Sequence, residues 1–559
     1  MAVEAPTDVI VTADKIWTGD PQNPWAEAFA VVDGRIRAVG TEAQVRAVVG
    51  EALPVVRADG LVLPGFCDVH AHLGLGGRQL AWELPLLPTD PKDAVLEKVR
   101  TWAERLGPGE WVVGGIVGAT VMDDIMNTED LAALDAAAGG RPVLLRDDSM
   151  HNRWVSSRAL ELMGVGPDTP DPDGGTYVRD ASGALTGVLH ELACSKAEAA
   201  AAASLTDPVE YNTEALRTAL RTLNSYGITA VQDAATMEYA LEALHRLDDS
   251  GEITSWVVCS MPAREFIEAG TVGQELLEAS GKYRSTHVRP DFVKFVLDGV
   301  PMTRTSAMLT PYLCHHHDDD PHHTGEPLWT EEELVEALEQ CYDRGHHGKL
   351  HATGDAAVRR VLDAVETVRR RHGFGPIFHI AHVEYIDPAD LPRFAELQVV
   401  PDASPYIWFP SVIQESIAKQ IPAEIVEASW PTRDLLESGA LLSAGSDWPC
   451  ALPSPDPWTG LQALVTRSNP DPGVPGALNP AQSLPVEEAV AAFTRNPAEA
   501  MGLGGVAGML REGCSADFIV VDQDLFQVAP EDIHRTRVLE TWFEGRKVHE
   551  LEAAFDVQG

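Results

Sequence analysis

The sequence predicts an α/β fold organised around a barrel of parallel strands, and three observations predict it. Segments with strand and helix texture alternate through the middle of the chain, which implies a parallel sheet. Polar residues able to carry chemistry fall at or near the C-terminal ends of those strands, where an α/β barrel gathers its working groups. The chain has 559 residues, long for one core, but a barrel with insertions can exceed about 400 residues as one domain.

Taken in order, the chain opens with β-like segments at Val9 to Val11, Ala28 to Val32 and Ile36 to Val39, with turn signals such as Asp33-Gly34 between them. A strand then runs through Leu61, Val62, Leu63, Phe66 and Val69 into the stretch Pro64-Gly-Phe-Cys-Asp-Val-His-Ala-His72. On extended backbone residues i and i+2 point the same way, so His70 and His72 converge from one strand end. Imidazole is the commonest side-chain metal ligand, although a lone pair of this kind also fits two ordinary polar strand residues. From Leu73 to about Ser225 we expect a large insertion over the barrel mouth, helical near the alanines 199–203. The next clear strand is Gly227 to Asp233, and Asp291 to Gly299 follows with Lys294 in an apolar run, on the same face as Asp298.

Thr330 with Glu333 forms a capping box that opens a helix with Leu334, Leu338 and Cys341 on one face. His346-His347 reads as a helix end, where histidine suits the dipole. Gly348 to Asp355 places His351 before a helix that Asp355 should cap, with Val358, Val361, Leu362, Val365 and Val368 as its packing stripe. Phe378 to Glu384 offers His382, and Leu441 to Pro449 ends a strand on Asp447, which could equally serve as a helix cap. β texture returns in Asp517 to Asp522 and Val538 to Gly545.

Composition narrows the function classes. Acidic residues number 85 against 42 basic, a net charge of −43, which argues against nucleic acid or an anionic membrane as partner. The longest apolar stretch, Trp111 to Met122, is too short and glycine-rich to span a bilayer. The start lacks a basic segment leading into an apolar run, so no secretory signal is read there. Seven cysteines without CxxC spacing fit a reducing compartment, making the cytoplasm the expected location. Cys67, beside the histidine pair, reads as core. Cys314-His-His-His-Asp-Asp-Asp-Pro-His-His323 reads as a loop near the mouth. A homodimer is compatible with the sequence, and no pattern marks its interface.

The order His-x-His, Lys, His, His, Asp resembles the binuclear metal-dependent amidohydrolase superfamily. The local wording is similar to its amidohydrolase-3 branch, which includes N-substituted formamide deformylases. The wording in question is Phe292 to Gly299, Thr303 to Tyr312, His351 to Val358, Gly445 to Pro449, Asp456 to Gln462, and His151-Asn-Arg-Trp-Val-Ser-Ser-Arg-Ala-Leu160.

That resemblance implies a (β/α)8 TIM-like barrel over residues 64–504, with an insertion at about 73–225. It also implies a small β-sandwich built from residues 1–63 and 505–559. Two divalent metal ions, zinc first among candidates, would bind to His70, His72 and Asp447 on one side and His351 and His382 on the other. Lys294, bridging them, would be carboxylated. Burial alone favours a neutral amine able to add carbon dioxide, while a stem snorkelling to the rim is the plainer reading. A hydroxide between the metals would attack, and Asp447 would take its proton and pass it to the leaving nitrogen.

His151, Trp154, Arg304 and Tyr312 are pocket candidates by analogy, with lid packing as the alternative. Glu384 is a candidate for hydrogen bonding to substrate or water. The implied activity is hydrolysis of an amide or N-substituted formamide bond in a small molecule, not a peptide. A lactone, carbamate or cyclic amide hydrolase, a one-metal aminohydrolase, and a non-catalytic scaffold are the alternatives. Pro401-Asp-Ala-Ser-Pro405 and Cys450 depart from the branch's wording, and they bear on substrate transfer rather than on the metal ligands.

Overall fold

The computed structural model describes residues 7–107, 109–147, 150–265, 268, 270–314, 320–450 and 452–552. Eight parallel strands follow one another in sequence order around a barrel. Strands 1 to 4 are Phe66–Ala71, Ile228–Asp233, Trp256–Pro262 and Val288–Val296. Strands 5 to 8 are His347–Ala352, Phe378–His382, Val399–Ala403 and Ser443–Ala444. Closure falls between strands 8 and 1, where Asp447 N donates to His70 O and His72 N to Trp448 O, both at 2.7 Å. The seam is thus stitched by backbone at the residues that carry the histidine pair and the aspartate.

The outer helices form where the apolar spacing places them. In Asp355–His372 the stripe Val358, Val361, Leu362, Val365 and Val368 is buried, and basic residues fill the last turn as the helix dipole favours. Thr330 and Glu333 close the capping box on Glu331–Arg344. Two local expectations are corrected. The cap of the later helix is Gly354, and Asp355 is its first residue, its carboxylate accepting from Leu309 N at 2.7 Å. The earlier helix stops at Arg344 on left-handed Gly345, φ 71°, so His346 follows the helix and His347 begins strand 5. Glycine takes that conformation without the Cβ clash that makes it costly for other residues.

The chain ends meet in one eight-stranded mixed sheet. Leu61–Pro64 lies between Val9–Trp17 and Phe518–Val521 and runs straight on into barrel strand 1. At the junction a Cβ on Gly65 would come within 2.1 Å of Thr229 Oγ1, so only glycine lets strands 1 and 2 approach as they do.

The segment after strand 1 differs most from expectation. It carries a six-stranded sheet, in the order Gly175–Arg179, Leu185–Glu191, Asn152–Val155, Val143–Asp147, Val112–Val117, Leu84–Pro85, besides the expected alanine-rich helix, Ala193–Ala202. Leu145 and Trp154 pack on one face and Leu144 and Val155 on the other. Helices Leu73–Ala81 and Pro208–Ser225 flank it and pack on each other. A buried ion cluster ties the sheet to the barrel. Arg146 pairs with Glu83 and Glu198, Arg153 with Glu198, and Arg78 with Glu83 and Glu268. Among the described residues no helix is long and apolar enough to cross a membrane.

Candidate metal centre and active site

The strand ends bring the predicted ligands together. One donor atom from each of His70, His72 and Asp447 lies within 4.8 Å of the others. His70 Nε2 and His72 Nε2 sit 3.5 and 3.4 Å from Asp447 Oδ1. Strand 4 presents Lys294, its Nζ 3.5 Å from His70 Nε2. The His382 ring, from strand 6, is 5.0 Å from that of His70. His351, from strand 5, stacks edge-on to His382 at 4.5 Å, and its Nε2 is 3.1 Å from Gly299 O. His382 and Asp447 hold left-handed backbone, φ 78° and 54°, a conformation costing non-glycine residues about 1–3 kcal/mol and concentrated at working sites.

The electrostatics suit a cation. Burial holds His70, His351 and His382 below their ordinary pKa, His382 at about 4, which keeps the neutral imidazole that ligates metal. Burial opposes ionisation of Asp447, but the His72 hydrogen bond and the His70 and His382 rings hold its carboxyl well below the usual range. Burial also pulls Lys294 down to about 8, with the Lys349 charge adding to the effect. Two imidazole nitrogens and a carboxylate aimed at one point form a fitting donor set for a divalent metal.

A cavity of about 570 Å³ opens from this point over strands 1 to 4. His72 and Lys294 form its floor, Met237, Pro262 and Trp329 part of its wall, and His151 reaches in from the insertion with Arg304 nearby. His151 Nδ1 meets Glu191 Oε2 at 2.8 Å. The remaining pocket candidates sit elsewhere. Trp154 is fully buried in the insertion core, because its strand turns it toward Leu145 and Val188. Tyr312 is buried with its hydroxyl donating to Ser306 O at 2.8 Å. Glu384 is buried two residues past His382, outside the cavity lining, and burial pushes its carboxyl up to about 8. Of the histidine-rich loop, residues 315–319 lie outside the described residues; His323 lines the cavity, its Nε2 2.8 Å from Arg304 O. Cys67 is core.

The amidohydrolase family model matches residues 58–549. This chain belongs to that family. It is 28% identical to an N-substituted formamide deformylase of Arthrobacter pascens over 96% of this chain and 97% of the relative. It is equally 28% identical to the protein LONG AFTER FAR-RED 3 of Arabidopsis thaliana, over 97% of this chain and 91% of the relative. A metal-dependent hydrolase of Pyrococcus horikoshii superposes with a TM-score of 0.75 at 22% identity, over 93% of this chain and 99% of its own, a likeness of fold. The protein is therefore a metal-dependent hydrolase of the amidohydrolase family, with a metal site at His70, His72 and Asp447.

Four buried residues beside the ligands were not singled out as site residues in the sequence. Asp233 ends strand 2 in the cavity wall, accepting from Leu73 N at 2.9 Å. Lys349 and Asp402 form an ion pair inside the barrel. Lys349 lies two residues before His351, on the same strand face, and that spacing was the available signal. Asp298, noted only for sharing the Lys294 face, accepts from Ala307, Thr353 and Gly354 backbone amides at 2.9–3.1 Å. It braces the turns that carry strands 4 and 5 into the cavity.

Proposed function

We propose that this enzyme hydrolyses the carbon–nitrogen bond of a small N-substituted amide or formamide with two divalent ions, zinc first. Lys294 carries the reading. It is a buried amine 3.5 Å from a metal-ligand nitrogen, with no ion pair among the described residues, and burial draws it toward neutrality at about 8. A neutral amine in that place can take up carbon dioxide and present a carboxylate to both metal positions, His70/His72/Asp447 and His351/His382. The metals, when bound, lower the pKa of water to about 7 and polarise a carbonyl. Asp447, held ionised, accepts the proton of the attacking water and delivers it to the departing nitrogen, which leaves poorly as an anion. The apolar wall at Met237, Pro262 and Trp329 excludes water around the N-substituent, and the Arthrobacter relative's activity supports that substrate class.

A one-metal aminohydrolase is the second reading. Its support is that among the described residues only His70, His72 and Asp447 form a compact donor group, while His351 Nε2 is within hydrogen-bond range of a backbone carbonyl. Metal content per chain, wild type beside Lys294→Ala, with amine release from formamides and anilides assayed on the same samples and on Asp447→Asn, separates the two. Two metals falling in Lys294→Ala, with amine release abolished in Asp447→Asn, support the first. One metal, unchanged in Lys294→Ala, with no amine released from either substrate set refutes it.

A further inference from the structure

Below the metal triad the barrel interior holds charges that the proposed chemistry does not use. Asp402 on strand 7, Lys349 on strand 5 and His379 on strand 6 are all completely buried. Asp402 Oδ2 is ion-paired to Lys349 Nζ, and the same oxygen lies 3.2 Å from His70 Nδ1. Lys349 Nζ also donates to the Val69 carbonyl at 2.8 Å, one residue before His70. The opposite ring nitrogen, His70 Nε2, faces Asp447 and Lys294, each at 3.5 Å.

A neutral imidazole carries one ring proton, and the nitrogen without it is the ligand. With a carboxylate on Nδ1, the proton resides there and is donated to Asp402, so the lone pair is on Nε2, where the metal donors converge. An ion pair serving the core alone gains little, since a buried pair replaced by apolar side chains of similar volume is often neutral or stabilising. This pair is arranged differently: its carboxylate is also directed at the back of a metal ligand, and its ammonium holds the carbonyl of the preceding residue.

We infer that Asp402 is a positioning residue for the metal centre, locking His70 in the tautomer that presents Nε2, and that Lys349 fixes Asp402 in place across strands 5 to 7. This rests on the metal triad and is independent of the substrate and of the number of metals. Outer partners of this kind typically contribute about 10–100-fold to metal affinity.

The test compares wild type, Asp402→Asn and Asp402→Leu/Lys349→Met by zinc competition against a chromophoric chelator, with thermal unfolding of each protein after metal removal. The amide oxygen of asparagine still accepts from Nδ1, so Asp402→Asn is expected to bind zinc with intermediate affinity. The double variant removes both charges and replaces each side chain by an apolar one of similar shape. It is expected to unfold, metal-free, at or above the wild-type temperature, yet to bind zinc 10–100-fold more weakly. That separation of affinity from stability is what a purely structural pair would not produce. A double variant that retains wild-type zinc affinity, or one that fails to fold, overturns the assignment.

Discussion

Replacing Glu198 with glutamine removes the central carboxylate of the ion cluster between insertion and barrel. Its two oxygens accept from Arg146 Nε and Nη2 at 2.8 and 2.9 Å and from Arg153 Nε at 2.7 Å. Arg146 and Arg153 are 2% and 0% exposed. The cluster balances Arg78, Arg146 and Arg153 against Glu83, Glu198 and Glu268, and the substitution leaves one buried positive charge in excess. Arg146 and Arg153 charges hold the Glu198 carboxyl far below its usual range despite burial, so the native state depends on the charged form at neutral pH. Breaking a buried pair by removing one partner costs about 3–5 kcal/mol. At about 1.4 kcal/mol per power of ten, the population in which the insertion is locally unfolded rises roughly 100- to 4,000-fold. Limited proteolysis under native conditions reads this population directly, and cleavage should concentrate within residues 84–207. Because His151 reaches the cavity from the insertion, KM should rise while bound metal stays constant. Wild-type proteolysis rates and an unchanged urea midpoint in Glu198→Gln would refute the reasoning.

Two further perturbations have defined outcomes. His287 is held between Asp248 Oδ1 at 2.7 Å and Glu544 Oε2 at 3.2 Å, and although burial opposes it, these carboxylates raise its pKa to about 9. A folded-state pKa above the unfolded value stabilises the protonated form, so this contribution is full below about pH 6.5 and fades as pH rises through about 9. Unfolding midpoints measured at pH 6 and pH 9.5 should converge in His287→Gln relative to wild type; an unaltered pH dependence would remove His287 from the account. Gly65→Ala sets a Cβ 2.1 Å from Thr229 Oγ1 and should cost about 1–3 kcal/mol through overpacking. Thr229→Ala in the same chain should recover part of the loss, as read from denaturant unfolding, and an unaffected single variant would contradict the close approach.

The barrel and the His70, His72 and Asp447 group were legible because each motif couples local strand texture to a chemically distinctive side chain at the strand end. His70, His72, Lys294, His351, His382 and Asp447 occupy one end of the barrel for that reason. The insertion sheet was less legible. Its strands are 2 to 7 residues long, one contains Gly114-Gly115, and their pairing depends on partners far along the chain. For Trp154 the motif left pocket and lid packing open, and the strand's alternation turns its ring into the insertion core. Lys349 carried a local signal in its spacing to His351, but Asp402 is 53 residues away, and nothing near it in sequence distinguishes a buried charge from a solvated one until the strands are laid side by side.

The sheet that joins both chain ends sets the order in which the enzyme matures during synthesis. Leu63 pairs with Ile519, so the strand leading into His70 lacks one neighbour until the segment around residue 519 has left the ribosome. At about 5–20 residues per second, that delay is roughly 25 to 90 seconds. The other edge of Leu61–Pro64 pairs with Val9–Trp17, so a strand near one end of the sequence is completed by its most distant partner.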